Sequence, residues 1–381
     1  MRLKYHFEPK TGWINDPNGL IYFKGKYHAF FQHNPYAPVW DTMHWGHAVS
    51  DDLINWTELP IALWPDQEYE NSLGCFSGSA VEKDGKMYIF YTSVSKHLTQ
   101  TQSLAVSEDG FTFEKYEGNP IIGNIGVPDF RDPKVSYMLG RYYMVCGTGS
   151  GGVGKVLLYV SDDLYNWEFV STLVEGEKYS KVIECPDFFE LDGKYVLTFS
   201  QMFKNKYNSV NVMVGTFDGV KFTPEKEFNM ESGPDFYAPQ TFKDHLGRRI
   251  MIGWMINPRK HGQEGLDRAG ALTIPREVKF ENGVLKNFPV REAQHLLKTE
   301  DELVKICGDK VIVGRENECL SELDILPGED IAILRDTRTI EVFVSGGAVA
   351  EMAGRLTSEE KCPKCGYVFK EGAPLSDFRT A

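Results

Sequence analysis

Residues 22–31, YFKGKYHAFF, place a glycine-centred turn between two aromatic-rich apolar runs, and the pattern returns four more times. The copies are EKDGKMYIFY (82–91), YMLGRYYMVC (137–146), ELDGKYVLTF (190–199) and DHLGRRIMIG (244–253). Their glycines, Gly25, Gly85, Gly140, Gly193 and Gly247, stand 60, 55, 53 and 54 residues apart. An apolar run, a tight turn with Gly and a second apolar run make a β-hairpin. A second pattern follows in register: SDDLINW (50–56), SEDGFTF (107–113), SDDLYNW (161–167) and the weaker TFDGVKF (216–222). Each is an acidic turn closed by an aromatic residue. Two hairpins in a unit of about 55 residues are the mark of a propeller blade. The predicted fold is therefore all-β, with a five-bladed β-propeller over residues 1–288. Trp56 and Trp167, which close repeat copies, are expected to be core.

The composition agrees with a soluble globular chain: 381 residues, 42% hydrophobic and 25% charged. A net charge of −13 disfavours a nucleic-acid partner or an anionic membrane, both of which would repel it. The first residues, MRLKYHFEPK, form no apolar leader, and no run of about 18 apolar residues occurs. The expectation is a cytoplasmic protein. The seven cysteines are odd in number and show no disulfide framework, so reduced thiols are expected.

Because the blades repeat, equivalent positions can be compared within one chain. Asp16 lies nine residues before Gly25, Asp132 eight before Gly140 and Glu184 nine before Gly193. This places all three on the first strand of a blade, the one that lines the channel of a propeller. In the second unit the same place holds Phe76 and Ser77, and in the fifth Tyr237 to Gln240. Three carboxylates from three blades thus converge. Glycosidic cleavage needs one protonated acid and one carboxylate nucleophile or base, and a third carboxylate raises the pKa of its neighbours. Any one of them alone would pass for a turn residue, as in Asp16-Pro17-Asn18-Gly19. Flat faces for sugar C–H surfaces are expected from Trp13, Trp40, Trp45, Phe76, Tyr237 and Trp254. Asn15, Gln32, Ser77 and Arg131 are candidate hydroxyl partners.

Two further patterns carry no such chemistry. His44 and His47 have no third ligand at metal spacing and are expected to be structural. Residues 149–155, GSGGVGK, come near a phosphate-binding loop, but Val156 replaces the required Ser or Thr and a strand pattern follows instead of a helix. A blade loop is expected there.

The ordered segments Trp13-Ile14-Asn15-Asp16-Pro17-Asn18-Gly19, Phe130-Arg131-Asp132-Pro133 and Glu184-Cys185-Pro186-Asp187 resemble the signature motifs of glycoside hydrolase family 32. That family includes invertases, sucrose-6-phosphate hydrolases, fructanases and some fructosyltransferases. Residues 31–35, 43–47, 75–79, 237–240 and 252–254 are similar to further family segments. The resemblance implies that Asp16 is the nucleophile, Asp132 the transition-state stabiliser and Glu184 the acid/base. It implies that Asn15, Gln32, Trp40, Phe76, Ser77 and Arg131 hold the terminal fructosyl unit. The activity implied is retaining hydrolysis of terminal β-D-fructofuranosides: sucrose, sucrose 6-phosphate or short fructans. It needs no metal or organic cofactor. A fructosyltransferase on the same site, and a weakly active or inactive sugar-binding propeller, stay open as alternatives.

The family's propeller is normally followed by a β-sandwich. Here residues 289–298 resemble the linker, and 336–344, DTRTIEVFV, a late sandwich strand. Too few residues lie between them, so 299–350 is predicted to be a shortened sandwich. Arg291 to Lys305 shows a helix-like pattern, either a linker helix or a strand start. A homodimer through the sandwich surface stays open. The tail, 351–381, carries Cys362-Pro363-Lys364-Cys365, which resembles one knuckle of a zinc ribbon or rubredoxin-like site. Four thiolates are needed there. Cys307 and Cys319 are the other candidates nearby, and a metal-free tail is expected.

Overall fold

The structure is a computed structural model, and it describes residues 2–201, 209–233, 235–255, 267–315, 318–344 and 349–353. Cys362 and Cys365, with the rest of the tail, lie outside the described residues, as does the side chain of Cys319.

Five sheets follow one another along the chain. Blade I contains β1 (Gly12–Phe23), β2 (Lys26–Asn34), β3 (His44–Ser50) and β4 (Trp56–Leu63). Blade II contains β5 (Gly74–Lys83), β6 (Lys86–Ser95), β7 (Thr99–Ser107) and β8 (Glu114–Lys115). Blade III contains β9 (Asp129–Met138), β10 (Arg141–Ser150), β11 (Val153–Ser161) and β12 (Glu168–Gly176). Blade IV contains β13 (Ile183–Leu191), β14 (Lys194–Gln201), β15 (Ser209–Phe217) and β16 (Phe222–Asn229). In blade V, β17 (Phe236–Lys243) and β18 (Arg249–Met255) pair on to β20 (Arg276–Glu281) and β21 (Val284–Pro289). The short β19 (Arg268–Ala269) instead crosses to blade I, where it pairs parallel with β1, Gly12 opposite Arg268. The inner strands β1, β5, β9, β13 and β17 stand side by side in a closed ring.

The repeated sequences have a direct backbone cause. In the first hairpin of four blades both turn residues are left-handed: Lys24-Gly25, Asp84-Gly85, Leu139-Gly140 and Asp192-Gly193 all have positive φ. That is the type I′ turn whose twist matches the flanking strands. In the second hairpin an Asp carboxylate caps the turn. Asp52 Oδ1 accepts from the Ile54 and Asn55 amides at 2.9 and 2.7 Å, and Asp163 Oδ1 accepts from Tyr165 and Asn166 at 2.8 Å each. Asp109 and Asp218 do the same in blades II and IV. The closing indoles of Trp56 and Trp167 donate back to the carbonyls of Leu53 and Leu164 and pack on the core.

Alternation along each strand sends one face to each neighbouring blade. Phe30 and Phe31 are adjacent and fully buried, yet Phe30 joins a cluster with Met87, Ile89 and Tyr91 of blade II, and Phe31 one with Ile250 and Ile252 of blade V. Clusters of the same kind fill the other three gaps between blades.

After a 3₁₀ turn at Arg291–Leu296 come two three-stranded sheets: β22 (Val304–Cys307), β23 (Lys310–Arg315) and β24 (Glu318–Asp324), then β25 (Ile331–Arg335), β26 (Thr339–Val344) and β27 (Val349–Ala353). The helix-like stretch is thus a short turn followed by a strand. The sheets share a small core of Val311, Val313, Leu323, Ile333, Ile340 and Val342. This shortened sandwich leans on the propeller through Phe343, whose ring centre lies 5.6 Å from that of Phe288.

Charge holds the same junction. His6 meets Asp336 Oδ2 through Nδ1 at 2.9 Å and Glu341 Oε1 through Nε2 at 2.6 Å, and all three side chains are buried. Glu341 Oε2 accepts from Arg276 Nη2 at 2.6 Å, and its Oε1 accepts from the Ile274 amide at 3.0 Å. Beside them, Glu8 bridges Arg268 Nε at 2.9 Å and Arg338 Nη2 at 2.6 Å. Burial alone would lower the His6 pKa, but the hydrogen bonds to Asp336 and Glu341 outweigh it and raise it to about 9. His6 is therefore an imidazolium at neutral pH.

Removing one member of such a network strands a buried charge. Glu341→Ala is expected to cost about 3–5 kcal/mol, read from urea unfolding at pH 7. The raised His6 pKa gives the sign of the pH effect. Its contribution is complete below the ordinary 6.5 and is lost as the pH rises through about 9. The wild-type unfolding midpoint should therefore fall between pH 7 and 10, and less steeply in His6→Gln.

Candidate active site

Each inner strand breaks its ladder at the same height. In blade III, Arg131 pairs with Gly147 and Lys134 with Val145, which leaves Asp132-Pro133 bulged opposite Cys146. In blade IV, Cys185-Pro186 bulges between Glu184 and Asp187, and in blade V Ala238-Pro239 between Tyr237 and Gln240. Ser77 is the extra residue in blade II, and Asn15-Asp16 in blade I. A proline has no amide to give to a ladder, so a bulge is a place where it fits. Asp132, Cys185 and Ala238 have the positive φ that turns their side chains from the ladder direction.

The bulges refine the alignment obtained by counting back from the hairpin glycines. Asp16, Ser77, Asp132 and Cys185 form one layer across the channel. Ser77 Oγ donates to Asp16 Oδ2 at 2.6 Å, and the Cys185 amide donates to Asp132 Oδ2 at 2.8 Å. The Cys185 thiol faces both carboxylates, 3.4 Å from Asp16 Oδ2 and 3.6 Å from Asp132 Oδ2. Glu184 stands one residue earlier, level with Arg131 and Tyr237. Arg131 reaches its Oε1 at 2.8 Å and the Tyr237 hydroxyl donates to its Oε2 at 2.6 Å.

The remaining predicted residues surround these two layers. Gln32 donates to the Cys75 carbonyl at 2.9 Å, and Asn15 Oδ1 accepts from the Trp13 indole at 2.8 Å. Trp254 is buried, with its ring edge-on to those of Trp13 and Tyr237 at 5.8 and 6.3 Å. Trp40 is 42% exposed and meets Phe76 at 6.1 Å. Trp45 is a correction. It is wholly buried between blades I and II against Phe30 and Tyr91, and it can offer no face to a ligand. His47 likewise stacks in the core on Phe30 and His28.

Several neighbours escaped the sequence reading. Thr92 Oγ1 accepts the Asp132 amide at 2.9 Å, and Arg131 Nη1 is shared by Gln100, at 3.2 Å, and Asp129. Only Asp129 carried a signal, two residues before Arg131 on the same face of a strand. The glycines of the apparent phosphate loop also belong here. Gly151 and Gly152 make the turn between β10 and β11. A Cβ on Gly147, Gly149 or Gly154 would collide with the backbone carbonyls of Ile183, Lys181 and Ser180. Their bareness lets the segment that carries Glu184 lie against blade III.

The electrostatics follow from crowding like charges among buried and half-buried side chains. Burial raises the Asp16 pKa; the Ser77 hydrogen bond opposes this, and the Glu184 charge adds to it. Burial also raises Asp132, the Arg131 charge pulls it back, and Asp16 with Glu184 push it up to about 7. The Cys185 thiol is raised well above its usual value, first by burial and then by the carboxylates, so it remains protonated as a donor.

This constellation can be compared with known proteins. The model of the family described as "Glycosyl hydrolases family 32 N-terminal domain" matches residues 6–289. The chain belongs to glycosyl hydrolase family 32. Within the family, a sucrose-6-phosphate hydrolase from Escherichia coli is 41% identical over 84% of this chain and 71% of that protein. A levanase from Bacillus subtilis is 35% identical over 96% of this chain and 56% of that protein. A Bombyx mori beta-fructofuranosidase of the family, solved as a mutant in complex with sucrose, superposes with a TM-score of 0.82 at 31% identity, covering 92% of this chain and 88% of that one.

Asp132 ionises near neutral pH in the folded protein but near pH 4 in the unfolded chain, so in that window the folded state holds the extra proton and stability falls as pH rises. Asp132→Asn removes the conflict. It should raise the thermal midpoint, by about 1–3 kcal/mol in stability at pH 8 and by less at pH 5, as read by calorimetry.

Proposed function

We propose that the protein is a retaining β-fructofuranosidase that cleaves the terminal fructosyl unit from sucrose, sucrose 6-phosphate or short fructans. The observation that carries the reading is the two-layer carboxylate arrangement, with Asp16 and Asp132 in one layer and Glu184 in the next. Family membership and the names of the relatives support it.

In this mechanism Asp16 attacks the anomeric carbon of fructose while Glu184 gives its proton to the departing oxygen. Water, deprotonated by Glu184, then releases fructose from the covalent intermediate. The Ser77 hydroxyl and the Cys185 thiol both donate to Asp16 Oδ2 and so orient the carboxylate. Arg131 and Tyr237 fix the Glu184 carboxyl from both sides. Asp132, tied to the Cys185 amide, faces the same space and would hold fructose hydroxyls more tightly as the ring flattens. Burial and the neighbouring negative charges raise the pKa of Asp16 and bring that of Asp132 up to about 7, so this pair holds a proton to higher pH than free carboxylates do. Trp13, Phe76, Tyr237 and Trp254 supply the apolar walls.

Incubation with sucrose, and separately with sucrose 6-phosphate, should release free fructose, with the β-anomer first by NMR. Glu184→Gln should lower kcat by about 10²–10⁴. Asp16→Asn should abolish release. No fructose from either substrate between about pH 5 and 7, where a tuned acid and base are both competent, would sink the proposal. The acid limb of kcat/KM should lie above the ordinary carboxylate value of about 4, because the attacking carboxylate must be ionised and its pKa is raised.

A further inference from the structure

Beside the channel mouth, on the outer part of blade I, lies a cleft of about 500 Å³. That is within the span of small-molecule sites, about 300–1,000 Å³. Asn34, Tyr36, Asp41, Thr42, His44 and Trp64 line most of it. None of these residues has entered the account of the carboxylate site.

The cleft lies on the same blade as that site and is joined to its rim through the chain. Trp40, whose ring meets Phe76 at the mouth, is followed directly by the lining residues Asp41 and Thr42. The next residue, Met43, is buried with Trp13, Tyr237 and Trp254. Across blade I the pairing runs at one height from Trp13 to Asn34, from His33 to His44 and from Trp45 to Leu63. Three strand spacings therefore separate the inner strand from the Trp64 wall, about 14 Å. A ligand bridging the two must be a chain of several units.

The chemistry of the walls narrows that ligand. Two large aromatics face solvent there, Tyr36 at 83% exposure and Trp64 at 51%. The loop that carries Tyr36 is held in place, since Asn34 donates to the Val39 carbonyl at 2.9 Å and accepts the Tyr36 amide at 3.1 Å. Rigid exposed rings with carboxylate, hydroxyl and amide groups between them suit the C–H faces and hydroxyls of sugars. No Lys or Arg is among the lining residues. The ammonium of Lys115, next to Trp64, is occupied by the Trp64 carbonyl, Asp66 and Glu70, each at 2.6 Å. Burial lowers the His44 pKa, which leaves that ring neutral. None of the lining side chains thus brings a positive charge to a phosphate.

We propose that the cleft between Tyr36 and Trp64 is a remote sugar subsite that receives the distal units of a neutral fructan chain whose terminal unit sits among Asp16, Asp132 and Glu184. The inference rests on the β-fructofuranosidase reading, and binding tests it separately from turnover. Glu184→Gln protein is titrated calorimetrically with a five-unit fructo-oligosaccharide and with sucrose. The oligosaccharide should bind at least about fivefold more tightly than sucrose. Trp64→Ala in the same background should weaken the oligosaccharide about five- to tenfold and move its affinity relative to sucrose by the same factor. Tyr36→Ala, a change at a ring almost wholly in solvent, should act in the same direction and guards against misfolding of the Trp64 variant. Equal affinity for the two sugars, or equal weakening of both by each variant, would overturn the subsite. Tight oligosaccharide binding that depends on Trp64, alongside a wild-type protein that releases no fructose, would uphold the subsite and overturn only the hydrolase reading.

Discussion

Carboxylates crowded together away from bulk solvent repel one another, and an isolated chain would keep them apart or protonated. Here Asp16, Asp132 and Glu184 come from three separate strands, and none is within a hundred residues of all the others. What holds them is the closed ring of inner strands, each supported on both faces by an interblade core. The bulges at Asp132-Pro133 and Cys185-Pro186 convert that rigidity into aim, because they turn the side chains toward the axis at one height. The cost appears as raised pKa values at Asp16 and Asp132.

Much of this was legible along the chain, for reasons that are local. A type I′ turn needs left-handed residues, so Gly25, Gly85, Gly140 and Gly193 had to recur. An acidic turn cap needs Asp at one offset, so Asp52, Asp109, Asp163 and Asp218 recur as well. These constraints act within a few residues and show as repeats. The layering of the site was not legible in the same way. Counting from the turns placed Glu184 level with Asp16, whereas the bulges set it one residue outward, and a bulge depends on pairing with the next strand. Trp45 illustrates a second limit. An indole next to a site and an indole beneath it look alike in sequence, and only the packing of Phe30 and Tyr91 separates them. The glycines at 149 and 154 resembled a phosphate loop because close backbone approach selects glycine whatever approaches.

The shortened sandwich changes the balance of the molecule. Its own core is small, and its three-stranded sheets are near the lower limit for independent stability. One strand carries the buried charged part of its attachment. Along β26 and the turn before it, Asp336, Arg338, Glu341 and Phe343 all face the propeller, so the sequence that resembled a late sandwich strand is also the docking surface.

That surface has a consequence for how the chain assembles. His6 is paired with residues 330 and 335 positions away, and β1 receives its parallel partner only from residue 268. During synthesis the first blades can form hairpins as they emerge, but the ring stays open at blade I until blade V arrives. Even then His6 waits for Asp336 and Glu341, and Glu8 for the second of its two arginines, Arg338. Assembly is thus loaded toward its last steps, the regime in which distant pairing slows folding and leaves sheet edges exposed to other chains.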